Sequence, residues 1–310
     1  MIIGGVTGNA GTRGTSSQLG GSQANVGIGN RRRQAAGVSI TRNPVQPGPR
    51  VDARGSRPTL KLRKHLRMAT WNVRTVRAIG KVQVVEKEMQ RLKVGCLGIS
   101  ETRWTGRGQF VTDSGSTVVY SGSANAAGGV AVILNKQWGD SLLRYNPVSD
   151  RIMTVRVQAN PWNLTLIQVY APTNQATELE KDMFYQGLED TYERYPKQAI
   201  VLVSGDFNAK IGERAPIGKY AMGVRNDNGD RLIQFAQANG LCAANAWVMR
   251  HPRRLSTWRS PDGAYRNQID YFLVPQRWMF SVGKFRSYSS CDADTDHTLV
   301  GLKFGLKLKR

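Results

Sequence analysis

The chain is predicted to be an α/β protein made of two packed β-sheets with helices on their outer faces. Three observations predict this. Short apolar runs of strand length outnumber the stretches with helical periodicity. The two kinds of element follow one another in mixed order, which excludes a helical bundle and a simple parallel doubly wound sheet. Several of the runs end in carboxylate, amide or imidazole side chains, which suits an architecture whose strand ends converge at one edge.

The elements follow in order. Residues 66–73 form a short apolar strand. Val82, Val85, Met89 and Leu92 recur at helical spacing and mark an amphipathic helix. Residues 94–100 complete a strand-helix-strand unit. Gly128-Gly129 opens the apolar run 130–134. In 151–157, Ile152 and Thr154 alternate with Met153 and Val155, a strand pattern. Residues 164–170 form another strand, and Leu179, Met183, Phe184 and Leu188 mark a second helix. Residues 199–204 read as a buried strand. Leu232, Ile233, Phe235 and Ala236 mark a third helix that opens after Asn228-Gly229. Strands at 241–245, 256–258, 269–274 and 298–304 follow, and the turn Ser260-Pro261-Asp262-Gly263 joins two of them as a hairpin.

At 310 residues and 40% hydrophobic content the chain can bury a sizeable core. Its net charge of +22 and pI near 10.4 imply a polyanionic partner. Residues 1–65 differ from the rest. They hold 12 of the 33 glycines, no aromatic residue, eleven Lys or Arg and the single acid Asp52, a net +10. Such a segment buries too little surface to offset its ordering entropy, so a disordered basic tail over 1–65 and a folded domain over 66–310 are expected. The tail suits a nucleic-acid-binding arm, an import signal around Arg31-Arg32-Arg33 or Lys61–Lys64, or a passive linker. Cys96, Cys242 and Cys291 lack CxxC spacing, which argues against a zinc site or a disulfide framework and for a reducing compartment. No run of 18 apolar residues and no signal-peptide pattern is present, so no membrane association is expected.

The chemistry sits at the ends of the predicted strands. The pieces are Thr70-Trp71-Asn72-Val73, Ile99-Ser100-Glu101-Thr102, Tyr170-Ala171-Pro172-Thr173, Gly205-Asp206-Phe207-Asn208-Ala209, Gln268-Ile269-Asp270-Tyr271 and Thr295-Asp296-His297. Together they offer carboxylates for a hard divalent cation, amides to grip phosphate oxygens and an imidazole to meet developing negative charge. Glu101, at a strand end beside an amide, is the leading metal ligand. Asp206 and Asn208 lie two apart, so on an extended backbone they point to the same side. The phenol of Tyr170 suits a hydrogen bond to phosphate.

These pieces, and the longer phrases Trp104-Thr105-Gly106-Arg107-Gly108, Pro147-Val148-Ser149-Asp150-Arg151-Ile152-Met153, Ile167-Gln168-Val169-Tyr170-Ala171-Pro172-Thr173 and Arg266-Asn267-Gln268-Ile269-Asp270-Tyr271, resemble the endonuclease/exonuclease/phosphatase superfamily. Within it they resemble the apurinic-endonuclease-like nuclease domain of non-LTR retrotransposons of the RTE/BovB type. The resemblance covers about residues 66–304. It implies a four-layered α/β/β/α sandwich of deoxyribonuclease-like fold and a Mg²⁺-dependent endonuclease that nicks DNA, with Mn²⁺ as the alternative ion. By resemblance Glu101 and Asp296 bind the metal with help from Asn72, Asp206 orients or deprotonates the attacking water, and Asn208 holds it. His297 then contacts the scissile phosphate, and Asp270 accepts its other ring proton. Asn72 and Tyr170 complete the catalytic set. Thr257 and Trp258 resemble a strand near the DNA-binding edge, where Arg259, Arg266 and Asn174 are candidate DNA contacts. One departure stands out: Arg74 occupies a position where many members carry a small polar residue. A monomer is expected, nuclear more than cytoplasmic, with no small-molecule cofactor. No length remains for a reverse transcriptase after Arg310, so a fragment, a decayed copy or a host-adopted domain is expected. Two alternatives stay open: a phosphoesterase of the same fold acting on RNA, phospholipid or inositol phosphates, and a catalytically idle nucleic-acid-binding protein.

Overall fold

A computed structural model describes residues 58–308. In chain order the first strands are β1 (Leu60–Lys61), β2 (Leu66–Asn72), β3 (Cys96–Ser100), β4 (Arg107–Val111), β5 (Thr117–Ser121), β6 (Val130–Leu134), β7 (Leu142–Pro147), β8 (Ile152–Val157) and β9 (Ala159–Asn160). They are followed by β10 (Leu164–Tyr170), β11 (Ile200–Asp206), β12 (Leu241–Ala243), β13 (Trp258–Arg259), β14 (Arg266–Asn267), β15 (Asp270–Pro275), β16 (Val282–Tyr288) and β17 (Leu299–Phe304). The helices are α1 (Lys81–Arg91), α2 (Lys136–Asp140), α3 (Glu178–Glu193), α4 (Asp227–Ala238) and α5 (Pro252–Leu255).

Two mixed sheets dominate. One has seven strands in the order β16-β17-β2-β3-β6-β5-β4, the other six in the order β12-β15-β11-β10-β8-β7. The period-two alternation of a strand sorts their side chains into three cores. Between the sheets lie Met68, Cys96, Val132, Leu166, Leu202 and Phe272. The opposite parity of the first sheet, Ala69, Trp71, Leu97 and Ile99, packs against Val85 and Met89 of α1. The opposite parity of the second, Ile167, Val169, Val201 and Val203, packs against Phe184 and Leu188 of α3 and Leu232 and Phe235 of α4. Helix, sheet, sheet and helices therefore form four layers, as the resemblance implied.

Topology places the site. β2 runs parallel to β3, with Asn72 opposite Ser100, and β10 runs parallel to β11, with Tyr170 opposite Asp206. β15 is antiparallel to β11 and begins at Asp270, opposite Asp206. β17 is antiparallel to β2, which brings the segment just before it, including His297, to the same edge. Four strand ends and two strand starts thus meet at one rim of the sandwich.

Several expectations need correction. The domain starts before residue 66. Leu60 and Leu62 are fully buried in the inter-sheet core, Leu60–Lys61 pairs with Ala159–Asn160, and Leu306 N–H donates to Leu62 O at 2.8 Å. The expected tail up to residue 57 lies outside the described residues. α4 opens at the cap Asn226, whose side chain accepts from Gly229 N–H, so Asn228 and Gly229 lie inside its first turn. Leu179 and Met183 mark α3 but lie on its exposed face, at 68% and 67% exposure. Strands β4, β5, β7 and β16 were not foreseen.

Candidate active site

The residues at the converging rim share the inward parity of their strands. Asn72, Tyr170, Asp206 and Asp270 continue the rows that hold Met68, Leu166, Leu202 and Phe272 deeper in the sandwich. Beneath them lies a buried polar layer. Gln168 donates to Thr70 Oγ1 and to Ser100 Oγ, each at 3.1 Å, and accepts from Ser204 Oγ at 2.8 Å. Ser100 Oγ also donates to Val169 O at 2.9 Å. Gly98 makes room for this layer, since a Cβ there would come within 1.8 Å of Gln168 Oε1.

Asn72 joins the two sheets. Its Nδ2 donates to Asp206 Oδ2 at 2.9 Å and to Glu101 Oε2 at 3.3 Å, while its Oδ1 accepts from Arg74 N–H at 2.9 Å. Asn72 therefore meets the carboxylates with its donor. Its oxygen accepts one backbone N–H and keeps a second lone pair. Glu101 follows β3 on left-handed backbone at φ 59°, and its Oε1 accepts from Arg103 Nη2 at 2.6 Å. Arg103 was not foreseen.

Asp206 is buried at the end of β11. Gly205 before it has φ 148°, and a Cβ there would lie 2.0 Å from Val169 O, so only glycine lets β10 and β11 approach. Burial pushes the Asp206 carboxyl up to about 7, helped by the Asp270 carboxylate and partly offset by His297 and by hydrogen bonds from Asn72 and Asn208. Asn208 does not continue an extended backbone. Its φ is +47°, and its own N–H closes on Asp206 Oδ1 at 2.8 Å. Its side-chain Nδ2 donates to Ala171 O at 3.0 Å. The two residues thus form a tight turn instead of a shared strand face, because the side-chain carboxylate of Asp206 captures the backbone.

His297 Nδ1 lies 3.0 Å from Asp270 Oδ2, and its Nε2 lies 3.8 Å from Asp206 Oδ2. Burial opposes its charge, but Asp270, Asp206 and Asp296 outweigh this and raise it to about 9. Its loop is fastened to β2: Trp71 Nε1 donates to His297 O at 3.0 Å, and Thr295 Oγ1 to Asn72 O at 2.9 Å. Asp296 accepts from Trp258 Nε1 at 2.9 Å, and its Oδ1 lies 3.9 Å from Arg74 Nε. The unusual Arg74 thus faces this carboxylate. Burial, Glu101 and Asp206 keep the Tyr170 phenol protonated well above its ordinary range. The guanidinium of Arg151 sits 5.3 Å over its ring.

The donors fit a divalent cation. Asp206, Asp270 and His297 bring one ligand atom each within 4.8 Å of one another, but His297, held charged, has no lone pair to give, so the carboxylate oxygens are the donors. Asp270 Oδ1 and Asp296 Oδ1 are buried without a hydrogen-bond partner, which leaves lone pairs for an ion. Carboxylate oxygens in this number suit a hard metal.

A cleft of about 410 Å³ opens beside these groups. It is lined by Asn174, Asn208, Lys210, Trp258, Asn267 and His297. Asn174 and Trp258, expected as DNA contacts, line this cleft. Thr257 is not: it is fully buried, and its Oγ1 accepts from the N–H groups of Ile269 and Asp270 at 3.0 and 3.1 Å. It holds the start of β15 and has no surface to offer DNA. Arg259 and Arg266 are exposed and paired across the β13–β14 hairpin, which Ser260–Gly263 helps to turn.

No family model matches the chain. Craniofacial development protein 2 of Bos taurus is 40% identical over 264 residues, which is 84% of this chain but 44% of that protein. The chain thus spans less than half the length of this relative. The endonuclease domain of TRAS1, a telomere-specific non-LTR retrotransposon, superposes with a TM-score of 0.58 over 79% of this chain and all of that domain, at 14% identity. The 3′ phosphatase NExo from Neisseria, bound to a product DNA hairpin, gives 0.61 over 78% of this chain and all of its own, at 17% identity. The chain is similar to craniofacial development protein 2 over most of its own length, and it shares the fold of the solved nucleases and phosphatase. Its neighbours of that fold are nucleases and phosphatases, and the site described above occupies the rim where its inter-sheet rows end.

Proposed function

We propose that this domain is a Mg²⁺-dependent endonuclease that hydrolyses phosphodiester bonds and nicks one strand of DNA. The observation that carries the reading is the buried Asp206–His297–Asp270 group, with Asn72 and Glu101 beside it, on a nuclease fold. A DNA partner is supported by the net charge of +22 and by the neighbour bound to a DNA hairpin. A nuclear location is supported by the Arg31-Arg32-Arg33 run, and the molecule acts as a monomer in this reading.

Each residue has work suited to its surroundings. Asp206, held up to about 7 and oriented by Asn72, accepts the proton of the attacking water. His297, kept charged by Asp270, places an imidazolium against the negative charge that develops on the phosphate. Tyr170 stays a neutral phenol and donates to a phosphate oxygen. Glu101, with Asp296 as second carboxylate, would hold Mg²⁺, which when bound neutralises phosphate charge. Arg103 holds Glu101 in place through the 2.6 Å pair.

The test is nicking of supercoiled plasmid by the full chain with Mg²⁺, with Mn²⁺ and with a chelator. Glu101→Gln is expected to lower the rate on the order of 10²-fold or more. Nicking at the parent rate in that variant, or in chelator, would remove Glu101 and the metal from the reading. Faster turnover of oligo-adenylate or a phosphoinositide would move the enzyme to another substrate class.

A further inference from the structure

A second concavity lies on the outer face of the seven-stranded sheet, away from the rim. Arg67 of β2, Lys284 and Arg286 of β16, Lys303 of β17, and Arg250 and Arg254 beside and within α5 line a groove of about 440 Å³. Arg67 and Asn72 are five residues apart on β2, roughly 17 Å at about 3.4 Å per residue. They also differ in parity, so Arg67 points to the outer face and Asn72 to the inter-sheet face. The groove is separate from the catalytic rim.

Its electrostatics are one-sided. No carboxylate lines it, and among the described residues none of the six cations forms an ion pair. Two of them sit over rings instead: Arg286 lies 5.2 Å from the centre of Tyr288, and Arg250 lies 5.8 Å from that of Phe285. Gly301 leaves the space that Tyr288 fills, since a Cβ there would meet its ring at 2.7 Å. Six like charges in one hollow repel each other, so a polyanion gains by entering.

We propose that this groove binds single-stranded DNA through its phosphate backbone, at a site distinct from the one that cleaves. Charge complementarity selects a polyphosphate. The guanidinium planes of Arg286 and Arg250, held over their rings, offer outward faces on which bases stack without regard to sequence. The chain's own first 57 residues are an unsuitable occupant, because eight arginines against one aspartate give them a net +7. A bilayer finds little to engage, since the apolar lining residues Phe285 and Leu302 are buried at 8% and 1% exposure. In a nicking enzyme such a groove would retain a strand freed at the nick, but binding there does not depend on cleavage.

The experiment measures binding of a labelled oligothymidylate to the full chain in chelator, where no hydrolysis occurs, across a salt series. The variant Arg67→Gln/Lys284→Gln/Arg286→Gln/Lys303→Gln is compared with a control that neutralises four cations elsewhere, Lys87→Gln/Arg144→Gln/Arg194→Gln/Lys197→Gln. Single-stranded binding loses about 0.7 of log–log salt slope per phosphate contact. The groove variant should therefore flatten the slope by about 3 and weaken binding at low salt at least about tenfold, with the control near the parent. The double variant Lys284→Gln/Lys303→Gln, at the surface of two strands, should give about half that change and guards against loss of folding in the quadruple one. Equal losses in groove and control variants, or no loss in either, would overturn the proposal. So would tighter binding of the same-length RNA, of polyglutamate or of anionic vesicles through the same residues. Because nicking is read in a separate assay, failure of either reading leaves the other standing.

Discussion

Two stretches of the same inward rows behave differently. Deep in the sandwich, Met68, Cys96, Leu166 and Leu202 form a dry core. Nearer the rim the rows turn polar, first as Thr70, Ser100, Gln168 and Ser204, then as Asn72, Tyr170 and Asp206. The polar layer is closed on itself, with its side-chain partners supplied from within. The outer layer is left open: Asp270 Oδ1 and Asp296 Oδ1 accept no hydrogen bond, and burial raises Asp206. A satisfied layer stabilises, and an unsatisfied one is available for chemistry. The rim can hold its charges still because the layer beneath it is already fixed.

The largest expected effect tests that division. Asp206→Asn should lower nicking on the order of 10²–10⁴-fold while leaving thermal stability level or higher, because a buried carboxyl is replaced by a neutral isostere. A large fall in melting temperature with little loss of rate would place Asp206 in the structural layer.

The polar layer should respond the opposite way. Gln168→Leu strands Thr70 and Ser204, while Ser100 keeps its bond to Val169 O, costing about 1–3 kcal/mol for each unsatisfied buried group. Denaturant unfolding should show this loss, with a smaller change in rate for the folded fraction. An abolished rate at unchanged stability would erase the distinction between the two layers.

Truncation compares the dry core with the chain before it. Removal of residues 1–57 should leave the melting temperature unchanged. Removal of 1–65 also takes away Leu60 and Leu62, each about 1.5–3 kcal/mol of burial, and should lower it clearly. Equal stability of the two products would show that β1 adds nothing to the core.

The smallest effect is the pH dependence of folding without metal. Asp206 is raised from 3.8 to about 7, so its contribution is full below 3.8 and falls as pH rises through about 7. His297 is raised from 6.5 to about 9, so its contribution is full below 6.5 and falls as pH rises through about 9. Stability should therefore decline from acid toward alkaline pH, and His297→Gln should flatten the upper part of that decline. A rising curve from pH 7 to 9 would contradict the charged imidazolium.

Much of this was legible in the sequence, and the reasons are local. Val82, Val85, Met89 and Leu92 gave α1 because one face of the helix is buried against the sheet. The carboxylates of the candidate site were legible because Glu101 and Asp206 end apolar runs, while Asp270 opens one. Strand β4 was not, since Arg107–Val111 is an edge strand with little burial and no apolar alternation. Leu60 and Leu62 were hidden among Lys61, Arg63 and Lys64, where composition outweighed pattern. Thr257 was misplaced because nothing in a sequence says that a hydroxyl holds two backbone N–H groups. Gln168 could have been found: it is the lone amide in an apolar run, two residues before Tyr170 and so on the same face.

Glu101, Arg103 and Asn208 all occupy left-handed backbone, at φ 59°, 55° and 47°. Side chains held there cost roughly 1–2 kcal/mol each relative to ordinary conformations, a cost glycine does not carry. A laboratory population selected only for heat resistance would therefore drift toward glycine at these positions and lose its chemistry there before its fold. The same drift would yield hardier, inert proteins suited to capturing a bound nucleic acid intact.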